Sequence, residues 1–153
     1  MTSGNNCSSM GGFVAGVHPE FVQYVRRVAA MYTATLLNVT DVYQLGIRVV
    51  EFISYEGGNY LSTHKDSDSV YTMLFMLSDA SSDYAGGEFM IQNQPCYWGD
   101  DQSQSHYINI TVPLGGGIVF NSLCSHGVRA IHSGRRKVVA VELWRYPDVM
   151  TNF

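Results

Sequence analysis

Residues 47–78 read IRVVEFISYEGGNYLSTHKDSDSVYTMLFMLS. Three short runs in this stretch, IRVVEFISY, NYLSTH and VYTMLFML, are rich in the β-branched and aromatic residues that fit a pleated surface. EGGN and KDSDS between them are turn signals, and no helical period links one run to the next. The last run is apolar on both faces, as a strand should be when it lies between a second sheet and a covering helix. Five further runs follow the same grammar: GEFMI (87–91), HYINITV (106–112), GIVFN (117–121), HGVRAI (126–131) and KVVAVELW (137–144). SDYAGG, PLGGG and HSGR punctuate them at the spacing of an all-β sandwich or barrel, not of βαβ units. Working back from residue 47, Phe21, Val22, Val25, Val28, Ala29 and Tyr32 recur at three- and four-residue intervals, which predicts one amphipathic helix. The expected fold class is mainly β: a double-stranded β-helix, or jelly-roll barrel, over about 46–144 with an N-terminal helix packed outside.

The 153 residues suit one core and are too few for two. Residues 1–16, small, polar and glycine-rich, are expected to form a flexible leader, and 17–153 the domain. Between Ile91 and Ser105 the chain has no period, and a loop framing a site is expected there. Hydrophobic residues make up 46% and charged residues only 14%, so the chain has the material for a core. A net charge of −4 supplies no footprint for phosphate backbones, so nucleic acid is not an expected partner. No stretch has the length and apolarity of a membrane span or a signal peptide. The expected compartment is cytoplasmic if the chain is complete, with the endoplasmic reticulum lumen open if it is a fragment. Cys7, Cys96 and Cys124 are odd in number and irregular in spacing, which predicts neither a disulfide framework nor a thiolate zinc site.

Chemistry concentrates in two segments. In a strand, residues two apart share a face, so His64 and Asp66 would point together into the barrel. His126, in a second expected strand, would complete two imidazoles and a carboxylate on one side of a metal, the facial arrangement of non-haem Fe(II) oxygenases. Asp68 is the alternative carboxylate. Gly134 is read as a turn between two apolar strands, so that Arg136 begins the last one. An arginine facing into an apolar barrel needs an anion, and its planar fork suits a carboxylate. Arg135 and Lys137, its neighbours in the strand, would face the other way. Other candidates have plainer readings. Gly115–Gly117 lacks the lysine and helix of a phosphate loop, and Cys124 is packing beside a ligand. His18, His106 and His132 belong to the surface or loops, and Tyr60, Tyr71, Phe75 and Phe89 to the core.

The succession YEGGNYLSTHKD (55–66), an apolar strand, AGGEF (85–89), GGIVFN (116–121) and HGVRAIHSGRR (126–136) resembles the Fe(II)- and 2-oxoglutarate-dependent dioxygenases, most closely their prolyl 4-hydroxylase-like branch. The resemblance covers about residues 46–144. It implies that His64, Asp66 and His126 are iron ligands, that Arg136 binds the distal carboxylate of 2-oxoglutarate, and that Tyr55 lines the co-substrate pocket. It implies a hydroxylase of C–H bonds, on a prolyl or other protein or peptide side chain with a small molecule possible, releasing succinate and CO2. Ascorbate is implied as reductant. The sequence departs from the pattern at Met76, where many relatives carry an aromatic hydroxyl, at Ala130 in place of a proline, and at Glu142 in place of a tryptophan, with Trp144 two residues on. The alternative reading is a catalytically inactive metal- or 2-oxoglutarate-binding barrel acting as a sensor or interaction module.

Overall fold

The apolar stripe near the N-terminus winds into α1 (Pro19–Leu36). Pro19 opens it where no amide hydrogen is needed, and Glu20 complements the positive end of the helix dipole. The computed structural model describes residues 6–9, 19–36, 45–93, 96 and 106–146. The strands are β1 (Asn6–Ser9), β2 (Gly46–Glu56), β3 (Leu61–His64), β4 (Tyr71–Met76), β5 (Tyr84–Gly86), β6 (Phe89–Gln92), β7 (Tyr107–Ile110), β8 (Gly117–Asn121), β9 (His126–Val128) and β10 (Ile131–Trp144). A major sheet has the order β1-β2-β10-β4-β8, with β5 added to the near end of β10, and a minor sheet runs β3-β9-β6-β7. Every pairing is antiparallel. This is the mainly β jelly roll with an outer helix that the run and turn pattern predicts.

Strand parity divides the core in two. Tyr71 and Met73 of β4 and Val141 and Leu143 of β10 meet Val25 and Ala29 of α1 on the outer face of the major sheet. Phe21 packs edge-on to Phe75 and Tyr32 to Tyr71, at 5.6 and 5.3 Å between ring centroids. The alternate residues, Leu74 and Met76 of β4 and Val138 and Ala140 of β10, face inward and pack with Phe89, Ile91 and Val128 of the minor sheet. The register of β2 on β10 slips between Glu142 and Leu143. A bulge of this kind lets Ile47 and Val50, three apart, both bury against the helix cluster. The slip falls where Glu142 replaces the expected tryptophan.

Five features differ from expectation, the simplest being Tyr60, expected in the core and exposed in the structure. β1 lies within the stretch expected to be a leader and pairs with Glu51–Ser54. SDYAGG contains a strand, β5, as well as a turn. The last strand does not begin after Gly134: the chain turns at Arg129–Ala130, and β10 runs through Gly134 without a break. Gly134 has φ +74°, and a Cβ there would sit 2.1 Å from the carbonyl oxygen of Asp83, so glycine serves the close approach of β5 instead of a reversal. Finally, Cys96 and Cys124 form a disulfide, against the expectation of none. The odd count concealed one bridge because its partners, 28 residues apart, follow no spacing motif. The remainder of the 91–105 loop, together with His18, lies outside the described residues. No helix among the described residues is long and apolar enough to cross a membrane.

Candidate metal centre and adjoining cavity

β3 and β9 pair so that His64 stands opposite His126, and their ring centroids are 4.4 Å apart. Asp66 lies two residues beyond His64, where its amide donates to the carbonyl of Ser122 (2.9 Å) and turns the chain off the sheet. The carboxylate then meets both rings: Oδ1 is 3.3 Å from His64 Nε2 and Oδ2 is 3.5 Å from His126 Nε2. One ligand atom from each residue lies within 4.8 Å of the others, a group that could hold a metal ion. Asp68, the alternative, points to solvent and pairs with Arg48 at 3.2 Å. The structure therefore gathers His64, Asp66 and His126 and leaves Asp68 out.

The orientation of each donor has a cause. His64 Nδ1 lies 3.0 Å from the carbonyl of Ser62 and His126 Nδ1 lies 2.9 Å from that of Cys124. A carbonyl only accepts, so each Nδ1 carries a proton and each Nε2 turns toward Asp66; a protonated Nε2 donates to the carboxylate, and in the neutral ring its lone pair is the one free for a metal. Thr72 Oγ1 donates to Asp66 Oδ2 at 2.5 Å and shares a hydrogen bond of 2.9 Å with the buried Ser122 hydroxyl. Burial pushes the Asp66 carboxyl up, but hydrogen bonds from His64 and Thr72 and the charge of His126 outweigh it and hold it below the usual range. The hydrogen bond to Asp66 raises His64, whereas burial lowers His126 despite the same neighbour. His126 is walled by Phe120 and Phe89, at 4.7 and 5.9 Å between centroids, while His64 is the solvent-facing member.

Sequence reasoning did not find Thr72, Ser122 or Glu142 as parts of this neighbourhood. Thr72 is the polar break in VYTMLFML, and that interruption was the available signal. Glu142 accepts from Ser69 (2.6 Å) and Arg48 (2.5 Å), tying the turn that carries Asp66 to β10 and β2.

Phe89, which packs on His126, also lines a cavity of 180 Å³ together with Met76, Tyr84, Gly87, Ile110 and Arg136 among others. Arg136 is 2% exposed. It stands opposite Tyr55 in the β2–β10 ladder, with its guanidinium carbon 5.3 Å from the Tyr55 ring centroid. Burial pushes its pKa down, while Tyr55 and Tyr84 favour the charged form. Nη2 touches Met76 Sδ at 3.6 Å, and Nη1 is buried without any hydrogen-bond partner. Among the described residues no carboxylate pairs with it. Arg135, next in sequence, is exposed and bridges Glu56 at 2.7 Å. The two arginines thus face opposite ways, as strand parity requires.

Two facially disposed imidazoles and a carboxylate are a donor set suited to Fe(II), and a buried guanidinium with one unpartnered nitrogen fits a carboxylate ligand. The comparisons agree. The family described as the 2OG-Fe(II) oxygenase superfamily matches residues 50–145. A search of curated proteins finds no significant match. Among solved structures, a 2OG-Fe(II) oxygenase family oxidoreductase from Burkholderia pseudomallei is similar at 20% identity and TM-score 0.54, over 67% of this chain and 45% of that one. A prolyl-4-hydroxylase from Pseudomonas putida is similar at 17% identity and TM-score 0.62, over 93% and 72%. A prolyl hydroxylase from Trichoplax adhaerens, in complex with a peptide fragment of the hypoxia inducible factor oxygen degradation domain, is similar at 18% identity and TM-score 0.61, over 93% and 63%. The chain thus spans less than half the length of the Burkholderia structure. With its matched region beginning in β2 and ending just past β10, and holding both the His-Asp-His group and the buried arginine, the chain belongs to the 2OG-Fe(II) oxygenase superfamily.

Proposed function

We propose that the protein is an Fe(II)- and 2-oxoglutarate-dependent dioxygenase that hydroxylates a C–H bond of a prolyl or other peptide side chain. The observation that carries this reading is the pairing of two sites that share Phe89: a metal-competent His64–Asp66–His126 group and a cavity containing a buried arginine with an unpartnered nitrogen. When bound, Fe(II) and 2-oxoglutarate would supply the oxidising equivalents, with O2 consumed, the 2-oxo acid decarboxylated to succinate and CO2, and one oxygen atom delivered to the substrate.

The chain's residues would do the rest. His64, Asp66 and His126 would be the iron ligands, grouped on one side so that the other positions stay open. Ser62 and Cys124, through their carbonyls, keep both rings in the ligating tautomer. Phe89 and Phe120 exclude water from the His126 side. Arg136 would hold the distal carboxylate of the co-substrate, with Tyr55 flanking it. The prolyl hydroxylases among the similar structures support a peptide substrate.

The test is to incubate the protein with Fe(II), 2-oxoglutarate and ascorbate as reductant, with proline-containing peptides, and to measure succinate. Turnover is expected and His64→Ala should abolish it; no succinate above that control would refute the reading. Met76 motivates a second reading. Its thioether, which cannot donate a hydrogen bond, sits against Arg136 where relatives carry a hydroxyl. A sensor that binds metal and 2-oxoglutarate without forming succinate is the outcome that would favour it.

A further inference from the structure

We propose that the Tyr84 hydroxyl supplies the second donor to the distal carboxylate of the 2-oxo acid, beside Arg136, from β5 instead of from the position that Met76 occupies on β4. The proposal rests on the co-substrate reading above and adds to it a residue that the chain recruits from another strand.

β5 sits against the start of β10 with Tyr84 opposite Gly134, two residues before Arg136. Neighbouring residues in a ladder, and residues two apart in a strand, share a face. Tyr84 and Arg136 therefore project to the same side, and both line the cavity. Glycine at 134 makes the approach possible, since a Cβ there would lie 2.7 Å from Tyr84 Cα as well as 2.1 Å from Asp83 O. Gly87 marks where the two side chains come together. A Cβ on it would be 3.3 Å from Arg136 Cδ and 3.5 Å from Tyr84 Cδ2, so the stem of the arginine and the edge of the tyrosine lean on one glycine.

The donor inventory then decides the role. A guanidinium has only donors, so wherever the two groups meet the phenol oxygen accepts, and its own proton remains available for an acceptor. Arg136 Nη1 is buried without an acceptor. Phe89, Ile110 and Val112 line the cavity without offering one, Met76 offers only the weak sulfur acceptor that Nη2 meets, and Glu88 and Thr111, also in the lining, are exposed, Glu88 forming no ion pair with Arg136. Two donor groups beside the apolar wall of Phe89, Ile110 and Val112 call for an anion whose remaining body is hydrocarbon. The distal carboxylate of 2-oxoglutarate has that form, with its methylenes left to Phe89, Ile110 and Met76.

The experiment is calorimetric titration of the full chain loaded with Mn(II), without turnover, using 2-oxoglutarate and 2-oxopentanoate, which has the same chain length and no distal carboxylate. Wild type should prefer 2-oxoglutarate. Tyr84→Phe, which keeps the ring, should weaken 2-oxoglutarate about 10- to 100-fold, the range for losing a hydrogen bond to a charged group, and leave 2-oxopentanoate unchanged. Arg136→Ala should erase the preference. If wild type shows no preference for the dicarboxylate, the co-substrate reading itself fails. If the preference exists and depends on Arg136 but is the same in Tyr84→Phe, the site reading stands and the role of Tyr84 is overturned. Equal weakening of both acids in Tyr84→Phe would also overturn it, because the residue would then be shaping the cavity without recognising the carboxylate.

Discussion

Replacing Thr72 by valine removes one hydroxyl from the support of Asp66 at nearly constant volume. Thr72 is 2% exposed and Ser122 fully buried, so water cannot replace the lost donor. The Thr72–Asp66 hydrogen bond is 2.5 Å long and ends on a carboxylate held in its charged form, a class worth about 1.5–3 kcal/mol. Its loss frees the carboxylate to rotate away from the two histidines, and outer partners of this kind change metal affinity about 10- to 100-fold. That range corresponds to about 1.4–2.7 kcal/mol, so the two estimates agree. The stranded Ser122 hydroxyl adds a second effect, about 1–3 kcal/mol in the stability of the metal-free fold. Competitive titration of Mn(II) or Co(II) against a chelator reads the first, and denaturant unfolding of the metal-free protein reads the second. Thr72→Ser, which keeps the hydroxyl, should restore most of the affinity. If Thr72→Val lost stability yet bound metal as tightly as wild type, Thr72 would be packing alone and its role in orienting Asp66 would be refuted.

Three further outcomes follow from the same geometry. Arg136→Ala should leave metal affinity nearly intact and weaken 2-oxoglutarate at least 100-fold, given that breaking a buried ion pair costs about 3–5 kcal/mol; Arg136→Lys should recover part of this, and Arg135→Ala, on the exposed Glu56 bridge, should do little in the same titration. Metal affinity should fall as pH drops through the raised pKa of His64, earlier than for a histidine at its ordinary 6.5, because the bound proton must be displaced; Asp66, held low, and His126, pushed down, add competition only at lower pH, so proton release measured in two buffers should be larger at pH 7 than at pH 8. Reducing the Cys96–Cys124 bridge, which closes 28 residues of chain, should cost about 3–4 kcal/mol on loop-entropy grounds, seen as a fall in the denaturant midpoint, and should also weaken metal binding, since Cys124 supplies the carbonyl that orients His126.

Much of the site was legible because strand geometry converts sequence parity into direction. His64 and Asp66 at spacing two do meet, although β3 ends at His64 and Asp66 is held by Ser122, and Arg136 turns inward where Arg135 turns outward, although the strand that carries them begins at Ile131 and not after Gly134. The error at Gly134 was harmless to that inference for a physical reason: the positive φ lies upstream, and from Arg136 onward β10 alternates regularly, with Val138 and Ala140 on the inner face. What local pattern could not carry was any contact made across the sheets. Nothing near Cys96 points to Cys124, nothing near Thr72 points to Ser122, and a three-residue strand whose last residue begins a pair of glycines reads as a turn until its partner is known.

Met76 shows why that distinction matters for function. Judged along β4, replacing a hydroxyl-bearing aromatic by a thioether removes a donor and weakens the case for a working co-substrate site. Judged across the fold, the same position faces Arg136 at 3.6 Å, while Tyr84 reaches the cavity from a different strand. A binding site requires donors at points in space and is indifferent to which strand supplies them, so a departure from a linear motif is a loss only when no neighbour occupies the same cavity. Here a neighbour does. The short β5, admitted by glycines at 87 and 134, brings a phenol to the wall that the motif left without one, and the acid binding proposed for the cavity would therefore depend on those glycines as well as on the arginine.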